Sequence, residues 1–246
     1  MKIFVCTHKK IDNKLPKNYE YIQVNALNNG KQYPLTDADC EDNISVKNPY
    51  FCELTACYYI WKNIKDEEIV GLAHYRRFFT TNKFSSSIKS YVNSPTIEKK
   101  LGKYDFITPK LFKTKETVKE HLLINVSEHD FDLLRESILK ICPEYLVAFD
   151  EVMNGNETYL LNMFITTKQK WNDYYKWLFE ILFDLEKKVD MTGYTIQQQR
   201  LYGFLSERLF TVYVKKNNFK TFCYSTHIVG ERMYVTFKNK MKRLLK

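Results

Sequence analysis

Apolar positions along the chain fall into two patterns. Residues 2–7 form a short continuous apolar run ended by His8, Lys9 and Lys10, and Tyr21–Val24 form a second; both predict short buried strands. A polar stretch from Asn25 to Lys47 predicts a loop. Asn48-Pro49 then reads as a helix start, a good N-cap followed by a proline that fits the first helical position. Tyr50, Leu54, Cys57, Tyr58 and Trp61 supply that helix with a core stripe. Glu68–His74 is continuously apolar beyond its first residue, as a central strand should be, and Tyr104–Ile107 predicts another strand closed by Thr108-Pro109. In the second half, helices are expected over 128–142, 171–189 and 197–214, with an apolar strand at Tyr159–Ile165. Alternating strands and helices argue for an α/β domain with a largely parallel sheet.

The 246 residues suit one domain, and a hydrophobic fraction of 44% provides a core. Seven Gly and 6 Pro exclude collagen-like and low-complexity classes. The formal charge of +9 invites nucleic acid, an anionic membrane surface or a phosphorylated substrate, and does not choose among them. No apolar run reaches the ~18 residues of a membrane span, and the N-terminus lacks the features of a signal peptide, so a cytoplasmic location is expected. The six cysteines contain no CxxC pair and are expected to be free, buried thiols.

Three segments could carry chemistry. Gly71-Leu72-Ala73-His74-Tyr75-Arg76-Arg77 runs from a buried strand into two arginines. Ligands of α/β sheets bind beyond the carboxyl ends of strands, where guanidinium groups suit phosphate oxygens; the alternative is a pair of surface residues. Asp42–Thr55 is dense in hydrogen-bonding side chains around a helix start. There Asn48 is a cap or an anion contact, and Glu53 pairs with an arginine or handles substrate hydroxyls. On the helix containing Gly203, Arg208 falls within the stripe of Leu201, Leu205, Leu209 and Val212, so burial and an acidic or phosphate partner are expected. Arg200, Gly203 and Glu207 share another face. A glycine inside a helix costs about 1 kcal/mol against alanine, which suggests a close approach at Gly203; a structural Glu–Arg pair is the plainer account of the charges. Asp37-Ala38-Asp39 has the DxD form of a metal site but follows Pro34 in a loop rather than a buried strand. His121 and His129 show no ligand pattern. GxGxxG, GxxxxGK[ST] and HExxH are absent.

Several motifs together resemble a family of bacterial capsular and exopolysaccharide biosynthesis proteins, formerly a domain of unknown function. The family is now grouped with glycosyltransferases, including galactofuranosyltransferases. The motifs are Thr7-His8-Lys9, Ile22-Gln23-Val24, Asp42–Ser45, Lys47-Asn48-Pro49, Cys52–Thr55, Tyr59–Asn63, Gly71–Arg77, Asn162–Ile165 and Tyr202–Leu209. Asn25 stands where the family pattern has Gly. The resemblance implies a GT-A-like, Rossmann-like fold, a mostly parallel sheet flanked by helices with a helical C-terminal part, over residues 1–230. It implies a UDP-sugar donor, most specifically UDP-galactofuranose, used in an inverting transfer onto a growing capsular, exopolysaccharide or O-antigen glycan. Galactopyranosyl or another hexosyl transfer is the alternative.

Under this reading Glu207 is the catalytic base, with His74 and Arg208 orienting it or the diphosphate. Thr7, His8, Asn43, Lys47, Asn48, Glu53, Arg76, Arg77, Asn162 and Arg200 are the expected donor-binding residues. No metal or other cofactor is expected, the arginines replacing it; Mn or Mg held by acidic groups such as Asp42 or Asp105 is the alternative. Residues 231–246 alternate Lys and Arg with Met, Val, Phe and Leu. They read as a basic amphipathic segment that docks on the anionic inner face of the cell membrane, where a lipid-linked acceptor would be kept. A nucleic-acid-binding module is the rival from another class; no standard signature of one is present. A non-catalytic scaffold is a third reading.

Overall fold

The computed structural model describes residues 1–11, 14–82, 85 and 87–229. The strands are β1 (Lys2–Thr7), β2 (Tyr19–Gln23), β3 (Ile69–His74), β4 (Arg77–Thr80), β5 (Phe106–Pro109), β6 (Phe112–Lys113), β7 (Glu157–Thr158), β8 (Ile165–Thr167) and β9 (Thr221–Ile228). The helices are α1 (Ala26–Asn29), α2 (Asn48–Phe51), α3 (Leu54–Asn63), α4 (Ser94–Leu101), α5 (Val118–Leu123), α6 (Glu128–Ile141), α7 (Leu146–Asn154), α8 (Lys168–Glu186), α9 (Ile196–Gln199) and α10 (Leu201–Lys216).

The expected open, mostly parallel GT-A-like sheet is not what the chain builds. The strand order is β2-β1-β3-β4-β9-β5-β8, and β8 pairs back onto β3. Among the described residues, the five strands β3, β4, β9, β5 and β8 therefore close into a barrel, with β1 and β2 added in parallel on the other edge of β3. Within the ring only β5 and β9 run parallel; β3–β4, β4–β9, β5–β8 and β3–β8 are antiparallel. One edge of β3 serves two partners, β8 along Ile69–Gly71 and β4 at His74. Gly71 permits this closure, because a Cβ there would lie 2.7 Å from Cγ1 of Ile165 and 3.0 Å from Cδ1 of Ile3.

Four local features depart from the expected elements. Tyr75 and Arg76 form a two-residue turn that sends the chain straight back as β4. The run Tyr159–Ile165 is not one strand: Leu161 and Asn162 take φ of 82° and 48°, and the strand covers only Ile165–Thr167. The helix begun at Asn48-Pro49 breaks at Cys52, whose φ is 51°, and restarts as α3. The expected helix over 197–214 is likewise two, α9 and α10.

The larger core lies among the helices. Amphipathic α3, α6, α8 and α10 bury their apolar faces there, with Phe164 and Phe210 stacked 4.6 Å apart and Trp171, Tyr174 and Tyr175 packed around them. A smaller core joins the other face of the sheet to α4 through Ile3, Val5, Phe78, Ile97 and Ile107. All six cysteines are free; Cys6, Cys57 and Cys142 are buried, and Cys40, Cys52 and Cys223 only partly so. No helix among the described residues is long and apolar enough to cross a membrane. The basic segment 231–246 lies outside the described residues.

Candidate functional site

The polar groups converge where the ends of β1 and β3 meet the Leu161-Asn162 turn and the first half of α10. The parallel register sets Cys6 beside His74, and Tyr75 N–H donates to the Cys6 carbonyl at 3.0 Å. The His8–Arg77 neighbourhood is thereby assembled from two segments far apart in sequence. His74 and Arg77 are direct partners across the β3–β4 turn, so their side chains share one face; Arg76 stands exposed at the tip. Among the described residues neither guanidinium has an ion pair or a side-chain hydrogen bond. His8 packs edge-on against Tyr75, with ring centroids 5.2 Å apart, and the Lys9 ammonium lies 5.2 Å from the same ring. Burial and Lys9 both lower the pKa of His8. Buried Thr7 accepts from Lys9 N–H and donates to the Lys9 carbonyl at 2.7 Å, shaping this strand end.

The Leu161-Asn162 turn is held on every side. Leu161 N–H donates to Glu207 Oε1 at 2.9 Å, and its carbonyl accepts from His74 Nε2 at 2.5 Å. A carbonyl only accepts, so Nε2 of His74 carries the proton. Asn162 Nδ2 donates to Glu53 Oε1 at 2.8 Å and to Ser206 Oγ at 2.9 Å. Left-handed backbone at a leucine is costly, and these bonds hold it in place. His74, Glu53, Asn162 and Glu207 are thus brought together by one turn.

Glu207 and Arg208 form the pair that the helical stripe anticipated. Glu207 Oε2 lies 2.5 Å from Arg208 Nη1, with side-chain exposures of 16% and 3%. Burial pushes the Glu207 carboxyl up to about 7, against the opposing pull of Arg208, and nearby Glu53 pushes the same way. Burial likewise lowers the pKa of Arg208. Arg208 Nη2 also meets His121 Nδ1 at 3.0 Å. A guanidinium only donates, so Nδ1 of His121 is the acceptor and that ring is neutral; burial and Arg208 both lower its pKa. His121 was thus legible only as a failed metal ligand, and its partner is instead a buried cation. The close approach at Gly203 is real: a Cβ there would meet Cys52 Sγ at 3.0 Å. Arg200 reaches the same thiol at 3.5 Å and lies over the Phe204 ring.

Other expected site residues are engaged within the chain. Lys47 pairs with Glu186 at 2.5 Å, at the far end of α8. Asn48 Nδ2 donates to the Cys52 carbonyl and to Thr55 Oγ1, bracing the helix break. Asn43 bridges the Cys40 carbonyl and Ser45 N–H. The sequence reading missed the role of Asp37, the first acid of the DxD. It is fully buried, and its carboxylate accepts from Asn25 N–H, Ala26 N–H, Ser45 Oγ and Thr55 Oγ1. That network ties the 25–48 loop to α3. Asn25 itself has a φ of 61°, which explains how it can stand where glycine is the pattern. Asp39 accepts from Thr36 N–H and Lys31. Among the described residues no group of three or more His, Cys, Asp or Glu side chains could hold a metal ion.

Comparison with known proteins gives one family and one related structure. The family model described as Domain of unknown function (DUF4422) matches residues 2–218, and the chain belongs to that family. No curated protein matches the chain. A solved structure of WbbM, described as a bifunctional glycosyltransferase in its apo form, is similar with a TM-score of 0.84 and 28% sequence identity. The similarity covers 94% of this chain and 45% of that one, so the chain spans less than half of the protein it resembles.

Proposed function

We propose that this DUF4422 member is a glycosyltransferase that moves a sugar from a UDP-sugar onto a glycan. The observation that carries the reading is geometric: one turn joins the buried carboxylate of Glu207 to His74, which pairs across the hairpin with Arg77. His74 also directly precedes the Tyr75-Arg76 turn. The similarity to WbbM supports the same chemistry.

In this mechanism Arg76, Arg77 and Lys9 receive the diphosphate, and Tyr75 and His8 lie beside the nucleotide. An acceptor hydroxyl oxygen attacks the anomeric carbon while the bond from that carbon to the phosphate oxygen breaks. The bonding electron pair leaves with UDP, whose growing charge the arginines stabilise. Glu207 takes the hydroxyl proton, and the anomeric configuration inverts. A base with a pKa near 7 is poised for that task at neutral pH. Glu53 offers its second oxygen to a sugar hydroxyl, its first being held by Asn162.

The family resemblance favours galactofuranose as the transferred sugar and a lipid-linked surface glycan, reached at the inner membrane face through residues 231–246, as the acceptor. The transfer is proposed to run without a divalent metal. Asp37 is occupied by four donors, and the cations at the β1 and β3 ends can take the diphosphate charge. Incubation with a panel of UDP-sugars, with mass detection of released UDP and sugar, tests the reading. UDP-galactofuranose is expected to be consumed, with EDTA leaving the rate unchanged. EDTA inhibition reversed by Mn²⁺ would overturn the metal-free step. Inertness toward every donor, together with salt-dependent RNA or DNA binding, would overturn the enzyme reading. Loss of co-sedimentation with anionic vesicles on truncation after Gly230 tests the membrane step; a full-length chain that fails to bind them at low salt would refute it.

A further inference from the structure

A groove on the flank of the Leu161 turn takes no part in the donor reading. Its volume is about 390 Å³, and Lys110, Phe112, Leu160, Leu161 and the Ser225–Thr226 segment of β9 line it. It abuts the proposed reacting centre, because Leu161, one of its walls, is the residue whose backbone N–H is held by Glu207 and whose carbonyl is held by His74. Phe112, on the short β6–β7 ribbon, keeps 37% of its surface open. Among the described residues Lys110 Nζ, Ser225 Oγ and Thr226 Oγ1 have no hydrogen-bond partner.

This is a mixture of an open aromatic ring, aliphatic walls, two hydroxyls and one ammonium. It suits a ligand that has an apolar C–H face and a hydroxylated rim, which is the surface of a sugar ring. A nucleoside diphosphate fits it less well, since a single cation faces two charged phosphates and the paired arginines lie at the strand ends instead. We infer that this groove is the acceptor subsite and binds a saccharide, with Phe112 as the stacking platform. The inference rests on the glycosyltransferase reading. It also gives the strained turn a use: Leu161 lines the groove while its N–H and carbonyl are held by Glu207 and His74, which fixes the groove wall relative to the base.

Ligand-observed NMR on the full-length chain saturated with UDP tests it, using a panel of methyl pyranosides and methyl furanosides as probes. At least one glycoside is expected to receive saturation at its ring protons. Phe112→Ala should weaken its binding at least tenfold. Phe112→Trp should restore it, and Lys110→Met should weaken it to a smaller degree. UDP affinity should stay within twofold in all three variants. Absence of binding by every glycoside, or binding indifferent to Phe112→Ala, would overturn the subsite. Failure of UDP to bind the wild-type chain would instead overturn the function on which the subsite rests.

Discussion

Two pairs of charged residues, each adjacent in sequence, have opposite fates. Arg76-Arg77 sits at the tip of a hairpin; Arg76 is exposed, Arg77 is half-buried, and neither has an internal partner among the described residues. Glu207-Arg208 sits inside the molecule, with 16% and 3% of the side chains exposed, and nearly every polar atom is committed to the partner, to Leu161, to Phe204 or to His121. The first pair keeps its hydration and its charge. The second gives up hydration, and the consequence is a carboxyl moved into the range where it can exchange a proton at neutral pH. Under the proposed function, the unspent charge would hold the donor and the partly compensated charge would move the proton.

The largest effect should come from breaking the buried pair. Arg208→Met leaves the Glu207 carboxylate without its cation, and removing one partner of a buried pair costs about 3–5 kcal/mol. Denaturant unfolding should show a loss of that size. Glu207→Gln should reduce turnover at least about a hundredfold, the lower range for a lost general base, while UDP still binds. The double variant separates the two roles: replacing both charges should recover much of the stability and none of the turnover. Recovery of turnover as well would reduce the pair to a structural one.

Acidity sharpens the same contrast. Burial raises the Glu207 carboxyl from an ordinary value of 4.5 to about 7, so in that interval the folded chain holds a proton that the unfolded chain has released. The resulting stability is complete below about pH 4.5 and is lost as pH rises through 7. Turnover that needs the ionised base slopes the other way, rising to a plateau above about pH 7. Glu207→Gln should remove this contribution to the stability profile. A turnover profile flat from pH 5 to 8 in the wild-type chain would contradict the assignment.

Smaller effects belong to the exposed pair and to the packing behind the site. Arg77→Ala should weaken UDP binding more than tenfold, and Arg76→Ala should weaken it too. The unfolding free energy should move by no more than about 0.5 kcal/mol, as is usual for surface substitutions. Smallest of all, Gly203→Ala should fail to deliver the roughly 1 kcal/mol that the exchange gives in an open helix, because the new methyl meets Cys52. Full stabilisation would show that the Cys52 kink yields easily.

Much of this was legible in the chain, and the losses have physical causes. β1 follows from an apolar run and α6 and α8 from clean periodicity, and the position of Arg208 on an apolar stripe foretold its burial and its need for an acidic or phosphate partner. The motif residues His74, Glu53, Asn162 and Glu207 do meet, although they lie on four separate segments. What periodicity could not reveal is backbone sign. Tyr159–Ile165 is apolar enough for a strand, yet Leu161 and Asn162 turn left-handed to reach Glu207, His74 and Glu53. Barrel closure was hidden for a related reason: β4 is only four residues long and begins with an arginine after a two-residue turn, and β9 is partly exposed along its whole length. Asp37 read as a failed metal ligand because a carboxylate that serves backbone and hydroxyl donors leaves no pattern in spacing.

Calorimetric titration of UDP into the wild-type chain, the Arg76→Ala/Arg77→Ala double variant and Glu207→Gln tests the central claim most directly. The account predicts that the arginine variant loses more than tenfold in affinity and that Glu207→Gln binds nearly as tightly as the wild type while failing to turn over. Wild-type affinity in the arginine variant would contradict it.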